Sequence, residues 1–201
     1  MSDSSPKLPE LEPMTRSQVL IAMGVTAFVL LLVARLWMSL GSVSILPLQG
    51  TWMNLAWGIA LGFGITLASA LVYQIWPSYR IAANQYLMIV LKPLIWADLI
   101  WLGLLPGLSE ELLFRGVMLA ALGLNLTAVL ISSLCFGVLH LGGRQQWPYV
   151  VWATAVGILF GYTALVTQTL LIPVVAHIVT NLLAGIIWKL KHPQVEPVGE
   201  P

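Results

Sequence analysis

Between residues 17 and 190 nearly every stretch of the chain is apolar, and short polar or Gly/Pro breaks divide this run into helix-length blocks. Residues 17–40 supply 24 mostly apolar positions, about 36 Å of helix at 1.5 Å per residue, enough to cross a bilayer with some tilt. Arg35 lies near the end of this block, where its head can snorkel to the interface. The uncharged linker GSVSILPLQG leads into a second span at 52–76, which carries Gly58-x-x-x-Gly62, a close-packing face in many membrane helices. A third apolar segment, about 82–105, is interrupted by Lys92, Pro93 and Asp98 and is expected to be broken or partly interfacial. Pro106-Gly107 is expected to end it, with Ser109 placed to N-cap a helix over about 109–122. Past Gly123 and Asn125, TAVLISSLCFGVLH predicts a helix that ends near His140, and the chain turns at Leu141-Gly142-Gly143-Arg144. Two more helices follow, about 148–166 with Gly157-x-x-x-Gly161 and about 169–190 with Pro173 near its start.

This pattern predicts an all-α, polytopic transmembrane bundle of about six to eight membrane helices, with 17–190 as a single domain. Residues 1–16 are expected to form a disordered cytosolic tail and 191–201 a polar C-terminal tail. Composition agrees: of 201 residues 59% are hydrophobic and 8% charged, against about 25% charged in soluble domains. A net charge of +1 removes the basic field of a nucleic-acid binder. The single Cys135 excludes an internal disulfide and a multi-cysteine zinc site. Trp37, Trp52, Trp76, Trp147 and Trp188 fall at predicted span ends, as an interfacial aromatic belt requires. Lys7, Arg16, Arg80 and Lys92 favour a cytoplasmic N-terminus, and Lys189 and Lys191 a cytoplasmic C-terminus. Seven full spans would separate the two ends, so either one segment does not cross fully or one charge cluster misleads; 82–105 and 109–122 are the suspect segments.

The distribution of acids then points to chemistry. Asp3, Glu10, Glu12, Glu196 and Glu200 lie in the tails, which leaves Asp98, Glu110 and Glu111 in the apolar region. An intramembrane acid costs about 2.5–3.5 kcal/mol on insertion scales, so an adjacent pair marks a functional site by default. Glu111 and Arg115 are i and i+4 in the favourable order for an ion pair, which leaves Glu110, about 100° round the helix, to face elsewhere. Helix lengths bring His140 to a depth similar to that of Glu110, and antiparallel packing leaves Asn181 within roughly 5–10 Å of that level. His177 and Asn181 share a face, and Pro173, four residues before His177, is expected to weaken the backbone ladder there. An acid, two imidazoles and an amide around one cavity can activate a water by general base or through a metal. Glu110, His140 and His177 are donors that suit Zn²⁺, with Asn181 a weaker ligand or an oxyanion donor. Asp98 is expected to pair with Arg35 or Lys92, or to face the interface.

Glu110-Glu111-x-x-x-Arg115, Phe136-x-x-x-His140 and His177-x-x-x-Asn181, in this order and on separate helices, resemble the CPBP family. These are the CaaX proteases and bacteriocin-processing proteins, intramembrane proteases also called the Abi family, and the resemblance covers roughly residues 90–190. It implies an all-helical membrane endopeptidase with its protease core at about 90–190, related to the type II enzymes that remove the last three residues from prenylated CaaX proteins. It further implies Glu110 as general base, His140 as its partner on the attacking water, and His177 with Asn181 as the oxyanion-stabilising pair. Glu111 and Arg115 would support the helix start. Zinc and metal-free schemes both keep Glu110 as base and differ in His140, a ligand in one and a hydrogen-bond partner of the water in the other. The implied substrate is a membrane protein or lipidated peptide, cut near its C-terminus at the lipid bilayer, and no nucleic acid is involved. Two other classes stay open: a small ion-coupled transporter running through Asp98, Glu110, Glu111 and the histidines, and a non-catalytic scaffold or immunity protein on the same fold.

Overall fold

In the computed structural model residues 14–193 are described, and they fold as helices and connecting turns with no strand among them. The expected disordered N-terminal tail over 1–13 and the polar C-terminal tail over 194–201 lie outside the described residues. Helix α1 (Arg16–Gly41) starts one residue earlier than expected, because Thr15 Oγ1 accepts from Gln18 N while the Gln18 side chain accepts from Thr15 N. That reciprocal pair satisfies two of the donors a helix start leaves open. Helix α2 (Trp52–Ile75) is capped by Thr51, whose Oγ1 accepts from Asn54 N, and α3 (Pro77–Leu91) starts on a proline, whose missing N–H would have no partner there. The chain breaks after Leu91, makes one 3₁₀ turn at Trp96–Asp98, and enters α4 (Leu99–Glu111).

Here the structure corrects the sequence reading. Pro106-Gly107 does not end a helix and Ser109 caps nothing: both lie inside α4, and Ser109 Oγ donates back to Leu105 O at 2.7 Å. The helix runs on through a π-helical segment, Leu112–Met118, and a short α5 (Leu119–Ala121), so Glu110 sits mid-helix. Gly123, at φ 101°, takes the left-handed conformation that ends this run, and Asn125 caps α6 (Leu126–Val138) by accepting from Ala128 N. Helices α7 (Trp147–Thr167) and α8 (Leu171–Lys191) complete the bundle. Pro173 falls in the first turn of α8, where no intrahelical bond is lost, so the expected weakening before His177 does not occur.

Helices α1 and α2, the stretch Arg144–Thr167 and α8 are each long and apolar enough to cross a membrane. Pro77–Leu91 and Trp96–Ala121 qualify only together, bent by 108°, and α6 is apolar but short. The break falls inside the suspect segment 82–105, and 109–122 belongs to the second limb of the bent pair; the described residues hold four or five spans by length and composition. The molecule is an all-α, multi-pass integral membrane protein. Its large apolar side chains point outward as well as inward, Phe28, Leu67 and Leu71 among them, as lipid contact requires.

Helix α8 lies at the centre, approached from two sides. A Cβ on Gly58 or Gly62 of α2 would fall 2.7 Å from Cβ of Val175 or Val179, and one on Gly107 of α4 would fall 2.5 Å from Ile178 Cγ1. Two small-residue faces, Gly58-x-x-x-Gly62 and Gly103-x-x-x-Gly107, let α2 and α4 close on α8. Helices α6 and α7 form a hairpin, closed where Gly157 meets Phe136 and Ser133. Of the expected aromatic belt, Trp52 is exposed at the start of α2, whereas Trp188 is buried and stacks on His192 at 4.4 Å.

Candidate active site

Glu110 is the last residue but one of α4, and the π-helical segment begins two residues later. An i→i+5 turn widens the helix and rotates the side chains that follow, a distortion frequent at functional sites. Arg115, inside that segment, is fully buried. Its Nη1 donates to Glu111 Oε1 at 2.9 Å, its Nη2 donates to Gly157 O at 3.0 Å, and its guanidinium lies 4.3 Å from the Phe136 ring centroid. The close approach at Gly157 is what exposes that carbonyl, because a Cβ there would fall 3.0 Å from Arg115 Nη2. The expected Glu111–Arg115 ion pair is present, fully desolvated and held from three elements.

Glu111 has a second partner that the sequence did not suggest: His177 Nδ1 lies 2.8 Å from the same Oε1. Since the carboxylate already accepts from Arg115, His177 Nδ1 donates, and the imidazole is oriented by that bond and by stacking on Phe160 at 5.4 Å. His140, just beyond α6, is fixed the same way, with Nδ1 donating to Phe136 O at 2.9 Å. Each ring is therefore tied back through Nδ1, which leaves Nε2 on its far side. Asn181, one turn after His177, donates from Nδ2 to Leu102 O at 3.4 Å. That carbonyl is free because Pro106, four residues on, has no N–H to give it. The proline that seemed to end a helix instead supplies an acceptor to the site.

Glu110, His140, His177 and Asn181 line one cavity of about 90 Å³. Glu110 is half-buried, and its Oε2 is buried with no hydrogen-bond partner among the described residues. A buried carboxylate oxygen without a partner is the feature to expect where a water or substrate group binds. Glu111 and Arg115 lie behind His177 and do not line this cavity. Tyr86 and Tyr149 do, stacked at 4.8 Å, with Tyr149 also 5.9 Å from His140. Sequence reasoning passed over both, since an aromatic in an apolar helix carries no signal that separates a site wall from core. Among the described residues no three His, Cys, Asp or Glu side chains converge closely enough to hold a metal ion. Glu110, His140 and His177, named as donors for Zn²⁺, line the same cavity without forming such a cluster in this arrangement.

Asp98 lies away from the cavity. Its carboxylate accepts from Arg16 Nε and Nη2, each at 2.7 Å, and from Ile95 N at 2.9 Å. The expectation was Arg35, Lys92 or the interface; its ion-pair partner is Arg16, a residue assigned to the tail.

Residues 92–183 match the family described as type II CAAX prenyl endopeptidase Rce1-like. Over 141 residues the chain is 26% identical to the uncharacterized protein YpbD of Bacillus subtilis (strain 168), a match that covers 70% of this chain and 72% of that protein. No solved structure matches. The matched segment carries Glu110, His140, His177 and Asn181, and in it the chain is similar to the type II CAAX prenyl endopeptidases described as Rce1-like.

Proposed function

We propose that this protein is an intramembrane endopeptidase that hydrolyses a peptide bond near the C-terminus of a membrane-associated protein or peptide, with a water activated by Glu110. The observation that carries the reading is the unpartnered, buried Oε2 of Glu110 in a cavity shared with two oriented imidazoles and an amide. Water between Glu110 and His140 loses a proton to the Glu110 carboxylate while His140 Nε2 accepts its other hydrogen, and the oxygen attacks the substrate carbonyl carbon. The C–N bond then breaks as Glu110 returns the proton to the leaving amine. Asn181 keeps a second N–H for the oxyanion while the first holds Leu102 O. His177 can join it only when its ring carries both protons, because the Nδ1 proton is committed to Glu111. Arg115 and Glu111 are positioning residues that hold His177 in place.

Glu110→Gln keeps the size and one oxygen of the side chain but cannot take a proton. Purified in detergent and incubated with a panel of membrane peptides, prenylated CaaX sequences included, the wild type is expected to yield a defined cleavage by mass spectrometry and Glu110→Gln none, with an unchanged melting curve. Equal cutting by both would remove Glu110 as base. Comparison with and without a chelator reads metal dependence in the same samples.

A further inference from the structure

Two hollows meet at Glu110. One is the cavity of about 90 Å³; the other, of about 200 Å³, is a groove between α1, α3 and α4, walled by Ala22, Met23 and Ala27 on one side and Ile89, Val90 and Leu102 on the other. Thr26, Ser109, Tyr86 and Glu110 are the polar residues of this groove among the described ones, and the Ser109 hydroxyl is turned back onto Leu105 O. Glu110 and Tyr86 both line the groove and the cavity, so the groove adjoins the reacting atoms and Tyr86 stands where the two meet. The Tyr86 ring is backed by a stack: Tyr149 lies 4.8 Å away at 24°, and Tyr79 lies 6.3 Å beyond Tyr149 at 5°. A ring supported in this way does not swing aside as a lone side chain would, because moving it opens a gap against its neighbours.

Resting on the endopeptidase reading, we infer that the α1–α3–α4 groove receives an apolar side chain of the substrate residue beside the scissile bond, and that Tyr86 is the specificity-determining wall that limits its size. An apolar occupant follows from the lining: a charged side chain would lose its hydration there and meet only Glu110, which repels an acid and, paired with a base, could no longer activate water. Because Glu110 itself lines the groove, the occupant is part of the molecule being cut.

The test uses two peptide series in which the residue before or after the scissile bond is Ala, Leu, Phe or biphenylalanine. Cleavage by the full chain is read as kcat/KM, and binding is read as Kd in the inactive Glu110→Gln background. In one series the wild type should prefer Leu over Ala and disfavour biphenylalanine by about tenfold or more, in the range that pocket fit commands. Tyr86→Ala should remove that penalty, and Tyr86→Phe, which keeps the ring, should keep the wild-type ranking. Ala22→Phe, an exposed position that fills the groove from α1, should move the cutoff the other way and reject Phe. If Tyr86→Ala does not fold, Ala22→Phe alone decides. An unchanged size ranking in the folded variants, in both kcat/KM and Kd, overturns the Tyr86 wall and leaves the endopeptidase reading standing. Size-dependent Kd that shifts with Tyr86 and Ala22, without any turnover, upholds the wall and removes the endopeptidase.

Discussion

Arg115 is the residue on which the centre of the site depends most. It is a guanidinium with no exposure inside an apolar bundle, and it is held by one carboxylate oxygen, one backbone carbonyl and an aromatic face. Removing one partner of such a pair leaves an uncompensated buried charge, at about 3–5 kcal/mol. Arg115→Leu is therefore expected to lower thermal stability in detergent by most of the protein's margin, and Glu111→Gln/Arg115→Met to recover part of it, since the double change removes both charges. Melting of Arg115→Leu that superimposes on the wild type would refute this account. The i, i+4 pair was legible because helix periodicity alone brings those two side chains together. The bond from Glu111 to His177 was not, because the two residues are 66 apart and meet only once α4 lies against α8.

At the scale of the element, α4 shows why a local rule can be read correctly and still mislead. Proline and glycine disfavour a helix by about 3 and 1 kcal/mol, which is what made Pro106-Gly107 look like an end. Packing overrides this preference. Gly107 lets α4 come within contact of Ile178, and the carbonyl freed by Pro106 takes the Asn181 amide. Pro106→Ala restores an N–H, so Leu102 O can return to the helix ladder and release Asn181. We expect this variant to melt at or above the wild-type temperature while kcat falls, with KM little changed if Asn181 acts on the oxyanion. An unchanged kcat would show that Asn181 needs no such anchor. The π-helical segment beyond Glu111 belongs to the same class of features: it is set by what the widened turn packs against, and no residue in LLFRGVM announces it.

Across the whole molecule, the Arg16–Asp98 pair ties the start of α1 to the break between α3 and α4, and Lys189 of α8 donates to Leu94 O in that same break. These contacts pin the N-terminal end of the helix that forms one wall of the groove. Asp98→Asn should quicken hydrogen exchange in the first turns of α1 and leave the α6–α7 hairpin unaffected; unchanged exchange in α1 would mean that apolar packing alone holds the helix. The same variant also bears on the transporter alternative, which ran its ion path through Asp98, an acid the structure finds ion-paired with Arg16.

The sequence by itself determined the membrane class, the all-α architecture, the short list of polar residues inside the apolar region and the Glu111–Arg115 pair. Each of these rests on composition, on block length or on a spacing of four residues, and none needs a distant part of the chain. Only the tertiary structure decided that Ser109 lies inside a helix, that Asp98 pairs with Arg16, and that Glu111 orients His177. It alone brought Tyr86 and Tyr149 to the wall of the Glu110 cavity. The physical reason is common to all four: within an apolar bundle one helix looks much like another to its neighbours, and the partner of a buried polar group is chosen by which backbones can approach closely. That choice is made at Gly58, Gly62, Gly107 and Gly157, where the missing side chains let α2 and α4 reach α8 and let α7 reach Arg115.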